Sequence, residues 1–265
     1  GEGGKDMRNF YLIFKKELKS YFYSPIAYAV MTIFLIITGY FFYNIFATFS
    51  TVSFQAQMNP ALAKQYNLLN ITESVVRPLF GNVSVIMLLL MPLLTMRLFS
   101  EEKRSGTIEL LLTYPVKDIE VVLGKFAACL AIFSIMLLFT LLYPFLIKIY
   151  GQPELGPIVT GYIGLFFMGA AFIAFGIFAS TLTENQVVAA VLSFGVLLFF
   201  YMAGYSINFV NSSLVSILSY IALTQHLESF AKGVIDSGDI IYYLNFTMLC
   251  IFLSLRALES KKWRG

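Results

Sequence analysis

Charge is what this sequence has least of. Lys, Arg, Asp and Glu together make up 12% of 265 residues, about half of the roughly 25% that a soluble domain carries. With so little charge and 58% hydrophobic residues, the chain cannot cover a water-facing surface, and lipid must be its main solvent. Histidine occurs once, at His226, which excludes a His-Glu-x-x-His metal motif and argues against a zinc centre. The two cysteines, Cys129 and Cys250, each sit in an apolar run, so no disulfide framework is implied. There is no Gly-x-x-x-x-Gly-Lys-Ser/Thr loop, which excludes nucleotide binding on this chain by that route. Asp236 and Asp239 are near neighbours but fall in a loop, against an intramembrane aspartyl pair. No acidic or basic residue lies in the middle of any long apolar run, and ion-coupled carriers and proton pumps depend on such groups. No catalytic residue, no metal ligand, no cofactor on this chain and no nucleic-acid partner is therefore assigned.

What the chain does have is apolar length. Mean hydropathy is +0.79. Six runs approach or reach the roughly 20 residues that cross a bilayer: 26–48, 83–99, 126–147, 158–182, 187–207 and 240–255. The second and sixth are short and are expected to tilt little or to recruit flanking residues. Three clusters, at 5–19, 97–125 and 256–264, hold 14 of the 18 Lys and Arg residues. The other four, Lys64, Arg77, Lys148 and Lys232, fall in the alternate loops. Basic residues stay on the cytoplasmic side, so both termini are expected in the cytoplasm. Tyr40, Tyr43, Tyr143, Tyr150, Tyr205, Tyr242 and Tyr243 gather towards the opposite ends, as interfacial aromatics do. The outer loops are then 49–82 and 208–239, the latter with spacing for a short helix at or in the outer leaflet.

Residues 1–6, Gly-Glu-Gly-Gly-Lys-Asp, read as an expression remnant or a mis-set start and are left out of fold reasoning, and no cleavable signal follows them. The segment 7–24 predicts an amphipathic interfacial helix. At 100° per residue Phe10, Ile13, Phe14, Leu18 and Tyr21 share one face, with Lys15, Lys16 and Lys19 on the other. Such a helix lays its apolar side in lipid and its lysines towards anionic head groups. Glu17 falls inside the apolar face. It either reaches out to water or pairs with a basic residue of the loop at 97–125, with Arg97 and Arg104 the best placed.

That loop, RLFSEEKRSGTIELLLTYPVKDIEVVLGK, has the most unusual chemistry of the chain. Glu101, Glu102, Lys103 and Arg104 form a charged exit from the second span. Ser105, Gly106 and Thr107 can cap a new helix at 107–113, in which Ile108, Leu111 and Leu112 share a face and Glu109 points elsewhere. Tyr114-Pro115 stops it. A helix this short does not persist alone in water, so it must lie against the membrane or a partner. The run E-E-K-R-x-G-T-x-E-L-L-L-x-x-P resembles the coupling segment of the type-two ABC exporter permeases. The resemblance extends to Lys16-Glu17-Leu18, to Ser24-Pro25, and to Leu182 through Gln186 between the fourth and fifth spans, with Glu184 and Asn185 at its centre. It covers the chain from about Arg8 onwards, and it is nearest to the bacterial gliding-motility and nitrous-oxide-reductase-maturation permeases.

The resemblance implies an all-α membrane protein of six transmembrane helices (domain 25–265), preceded by the interfacial helix, with a cytoplasmic coupling helix between spans two and three. It implies a permease in a bacterial cytoplasmic (inner) membrane. Its partners would be a second permease subunit, identical or related, and separate ABC ATPase subunits that carry the ATP and Mg. Glu101, Glu102, Arg104, Gly106, Thr107, Glu109 and Pro115 match the family motif, and Ile108, Leu111 and Leu112 supply the apolar contact. Gly161, Gly164 and Ala170 in span four, or Ala189, Ala190 and Ser193 in span five, permit close helix approach, either within a subunit or between two. The rival reading, a stand-alone ion-coupled carrier or intramembrane enzyme, needs a polar cluster in the spans. The sequence offers only scattered residues there, such as Asn44, Ser134 and Thr247. The transported substrate is not legible in the sequence.

Overall fold

A computed structural model describes residues 2–58, 70–107, 116–206 and 212–262. Among these residues the fold is all-helical. Helix α1 (Glu2–Tyr23) is followed by α2 (Pro25–Met58). A π-helical turn (Thr72–Val76) leads into α3 (Arg77–Thr95) and α4 (Arg97–Arg104). Then come α5 (Asp118–Thr140), α6 (Leu142–Tyr150), α7 (Leu155–Leu182) and α8 (Gln186–Ser206). Two short helices, α9 (Ser212–Ile221) and α10 (Leu223–Ala231), precede α11 (Ser237–Lys262).

Six helical stretches among the described residues are long and apolar enough to span a membrane: Pro25–Gln55, Thr72–Arg104, Asp118–Tyr150, Leu155–Leu182, Gln186–Tyr205 and Ser237–Ser260. The expected spans are all present, but the second and sixth are long rather than short. Hydropathy marks only the lipid-facing part of a helix, whereas helix ends are set by caps and breakers beyond it. Span two is built of three pieces. Pro92 has no N–H to give, the Thr95 hydroxyl bonds back to the Met91 carbonyl at 3.0 Å, and the helix bends at Met96 before resuming as α4. An even number of spans places both termini at one end of the bundle. The end of α4, the start of α5 and residues 182–186 lie at that same end.

Span four is the axis of the molecule. In its most apolar stretch 78% of residues are buried, against 22% in span one. The sequence achieves this with glycines that admit neighbouring side chains up to the backbone. A Cβ on Gly161 would lie 2.0 Å from the Phe80 ring, on Gly169 2.1 Å from Phe133, and on Gly176 2.0 Å from the Thr95 hydroxyl. Gly164 receives Phe230 in the same way, and Ala170 is buried. Gly161, Gly164, Gly169, Ala170 and Gly176 of span four are thus used inside the chain. Ala189 and Ser193 of span five are buried as well, and Ala190 is half-buried.

Gly169→Ala is expected to destabilise the protein by about 1–3 kcal/mol through overpacking against Phe133. Gly195→Ala, where nothing lies within 4 Å of the new Cβ, should stabilise by about 0.4–1 kcal/mol. Unfolding midpoints in detergent read both, and shifts of the same sign would contradict this packing.

Helix α1 departs from the expected interfacial geometry. Its face of Ile13, Phe14, Glu17 and Tyr21 packs on protein, against α5 and the start of α2, instead of lying in lipid. Gly124 makes this possible, since a Cβ there would lie 2.7 Å from Ile13. Lys15, Lys16 and Lys19 remain exposed, as do Tyr11 and Leu12 beside them. At the other end of the bundle, the segment between spans five and six forms two helices where one was expected. The second, α10, buries Leu223, Leu227 and Phe230 in the bundle.

Candidate functional site

The terminal end of the bundle holds a buried ion cluster built from three helices. Lys125 lies two turns into α5 and is 1% exposed. Its ammonium has three protons and finds three acceptors: Glu102 Oε1 on α4 at 2.8 Å, the Leu98 carbonyl on α4 at 2.8 Å, and Glu17 Oε1 on α1 at 3.1 Å. The Phe99 ring covers it at 5.0 Å. Glu17 is itself buried. Lys16, on the exposed side, approaches Glu17 at 3.7 Å and Glu102 at 3.9 Å, which balances the two carboxylates against two ammonium groups. Glu102 Oε2 is buried without a hydrogen-bond partner. An open crevice of about 310 Å³ lies against the cluster, lined also by Glu101 and Thr107.

Each helix is held in place around this cluster by its own chemistry. Helix α5 begins where it does because Glu120 reaches back to accept the Lys117 backbone N–H at 3.1 Å, the N3 half of a capping box. The same carboxylate accepts Asn9 of α1 at 3.4 Å. Arg97 stacks on Tyr21 at 4.8 Å and donates to the Ser24 hydroxyl at 2.6 Å, fixing the junction between α1 and α2. Tyr21 donates to the Leu94 carbonyl at 2.9 Å, and burial pushes its phenol well above the ordinary range, so it remains a neutral donor. Glu17 therefore pairs with Lys125 and not with Arg97 or Arg104. Arg97 is committed to Ser24, and Arg104 is exposed.

A second set of bonds ties α4 to the end of span four. Ser100 Oγ donates to the Ser180 carbonyl at 3.2 Å, and the Lys103 ammonium donates to the Thr181 carbonyl. Lys103 is buried and sits at the negative end of the α7 dipole. Just beyond, Asn185 caps α8 by accepting the Val187 and Val188 N–H groups at 2.9 and 3.4 Å. Glu184 and Asn185 are exposed at this turn.

The structure thus brings Glu17 and Glu102 together, and places Glu101, Arg104 and Thr107 on the exposed side of the same end. Gly106, at φ 71°, ends α4 as a left-handed cap. Thr107 Oγ1 donates back to the Glu102 carbonyl at 3.3 Å. Ile108, Glu109, Leu111, Leu112 and Pro115, and with them the expected coupling helix, lie outside the described residues. Two residues at the centre of the site, Lys125 and Lys103, were not singled out from the sequence. A signal for Lys125 was present: the Lys117–Glu120 box starts the helix seven residues before it, which is two turns too deep for a loop residue.

What this arrangement does is mechanical. Helix α4 cannot slide against α1, α5 or the end of α7 without breaking charge-assisted bonds, most of them buried. The chain belongs to the ABC-2 family transporter proteins, whose family model it matches over residues 11–258. It is therefore a membrane permease component of an ABC transporter. A search of curated proteins gave no match.

Proposed function

We propose that this chain is the membrane subunit of an ATP-driven exporter, moved by a separate ATPase that seats on residues 107–115. The observation that carries the reading is the brace at Lys125. It joins the helix that leads into that segment to α1 and span three at once, with Lys103 adding span four. A push on the segment from a partner would therefore reach four elements of the bundle as one displacement. The family match supports the transport role, and the motif from Glu101 to Pro115 supports the ATPase contact. Nearness to the gliding-motility and nitrous-oxide-reductase-maturation permeases rests on that motif alone.

In this reading both termini, α4 and residues 182–186 face the cytoplasm of a bacterium, where ATP is. Cysteine labelling of intact cells tests the sidedness. An impermeant thiol reagent is expected to modify Tyr66→Cys from outside and to leave Ser105→Cys untouched. Modification of both from outside would defeat the reading. The working unit would contain two permease chains, identical or related. Native mass spectrometry is expected to show this pair, and monomers alone, with and without the ATPase, would contradict it.

A further inference from the structure

At the end of the bundle away from the termini, a cavity of about 310 Å³ opens between α3, α8 and α10. The sequence makes room for it by setting small and hydroxylated residues among apolar ones at one level. Gly81 and Ser84 lie a turn apart on α3, Tyr201 and Tyr205 a turn apart on α8, and Thr224, Gln225 and Glu228 face the cavity from α10. The Ser84 and Tyr201 hydroxyls are 3.0 Å apart, and Thr224 donates to the Tyr201 carbonyl at 3.3 Å.

The wall formed by α10 is fixed from behind. The Thr160 hydroxyl donates to the Phe230 carbonyl at 2.6 Å, and the Tyr243 hydroxyl donates to the Leu223 carbonyl at 2.7 Å. His226 sits 2.6 Å from Asp239 and stacks on Tyr242 at 3.9 Å. Gly204 lets the Thr224 hydroxyl approach to where a Cβ would be only 2.3 Å away. A cavity held in this way exists before any ligand arrives, and a few convergent polar groups on an otherwise apolar wall are how ligand sites fix orientation.

The lining selects a chemical class. Ser84, Tyr201 and Thr224 have their hydroxyl protons engaged with the Gly81 carbonyl, Ser84 and the Tyr201 carbonyl, so their oxygens accept, while the Tyr205 hydroxyl and the Gln225 amide can both donate and accept. Among the described residues the only charged side chain in the lining is Glu228, and it already pairs with Lys232 at 2.5 Å. A phosphate or sulfate meets no cation in this lining, and a cationic head competes with Lys232 for one carboxylate. A ligand hydroxyl, which donates to the accepting oxygens and accepts from Tyr205 or Gln225, matches it best, while Phe80 and Leu227 offer apolar contact alongside. We propose that this cavity binds the uncharged, hydroxyl-bearing headgroup of an amphipathic molecule. Treating that molecule as the cargo rests on the transport reading; the binding itself does not.

Gly81 supplies the test, because nothing lies within 4 Å of a Cβ at that position and Gly81→Cys leaves the packing intact. Cys129 and Cys250 are buried, and the wild-type chain measures their background. The full chain in liposomes would be labelled with maleimide in the presence of octyl glucoside, octyltrimethylammonium or octyl sulfate, each below its micelle-forming concentration. The three share one tail and differ in the head. Octyl glucoside is expected to protect Gly81→Cys saturably and at the lowest concentration. Adding Ser84→Ala and Tyr201→Phe should weaken that protection about tenfold, the loss expected for removing two hydrogen bonds. Equal protection by all three, stronger protection by a charged head, protection unchanged in the Ser84/Tyr201 variant, or no labelling without a probe would each overturn the proposal. No ATPase takes part, so this failure and a failure of the transport reading are told apart.

Discussion

Replacing Lys125 with methionine is expected to cost the folded protein about 3–5 kcal/mol, the range for removing one member of a buried ion cluster. The side chain is 1% exposed and all three of its N–H groups are committed. Its loss leaves the carboxylates of Glu17 and Glu102 facing one another with only the exposed Lys16 nearby. The penalty comes from those stranded charges more than from the missing bonds. Making Glu17→Met and Glu102→Met in the same chain should therefore recover most of it, because an apolar trio of similar volume leaves no charge to desolvate. Lys16→Met serves as the control. Its side chain is 65% exposed, and such pairs contribute about 0–1 kcal/mol. Equilibrium unfolding in detergent would rank the four proteins. A Lys125→Met protein as stable as Lys16→Met, or a triple variant less stable than Lys125→Met, would show that the cluster is not the brace described.

The spans and their number are legible in the sequence, because lipid leaves so little choice: any 20-residue apolar run must close its backbone bonds within a helix. The breaks within them are less so. Pro92 and Thr95 mark the bend in span two only once it is known that the helix continues through Arg97 to Arg104. The site divides in the same way. Glu17 stands out from the sequence because a carboxylate on an apolar face needs a partner. That partner cannot be found from the same pattern, because it depends on how α1 docks against Gly124, and Lys125 lies 108 residues further along the chain than Glu17. Lys125 counts as one more basic residue of a cytoplasmic loop until the helix carrying it is seen to start at Asp118. The expectation that the apolar face of α1 is covered by lipid differs from the structure for a related reason. Amphipathic spacing reports that a face is covered, and not whether lipid or protein covers it.

The second large effect concerns Glu109, which lies outside the described residues and is argued from the motif. If residues 107–115 seat on an ATPase, Ile108, Leu111 and Leu112 give apolar contact, and Glu101, Glu102, Arg104 and Glu109 set its orientation by charge. Breaking one desolvated charge contact across an interface costs about 2–5 kcal/mol, which is roughly a thirty-fold or larger loss of affinity. Glu109→Lys should leave the six spans inserted and folded, since the position falls in the sequence between two spans and outside both apolar runs. Lys125 and its partners stay intact in this variant, so a loss of coupling could not be traced to a weakened brace.

The most direct measurement is to purify the tagged wild-type and Glu109→Lys proteins from their native membrane and follow the companion ATPase and its ATP turnover in each preparation. The wild-type chain is expected to retain an ATPase whose turnover depends on the complex. The variant is expected to lose the ATPase, or to keep it with turnover no longer responsive to the permease. A wild-type chain that brings no ATPase with it, or a variant equal to wild type in both association and turnover, would contradict the account.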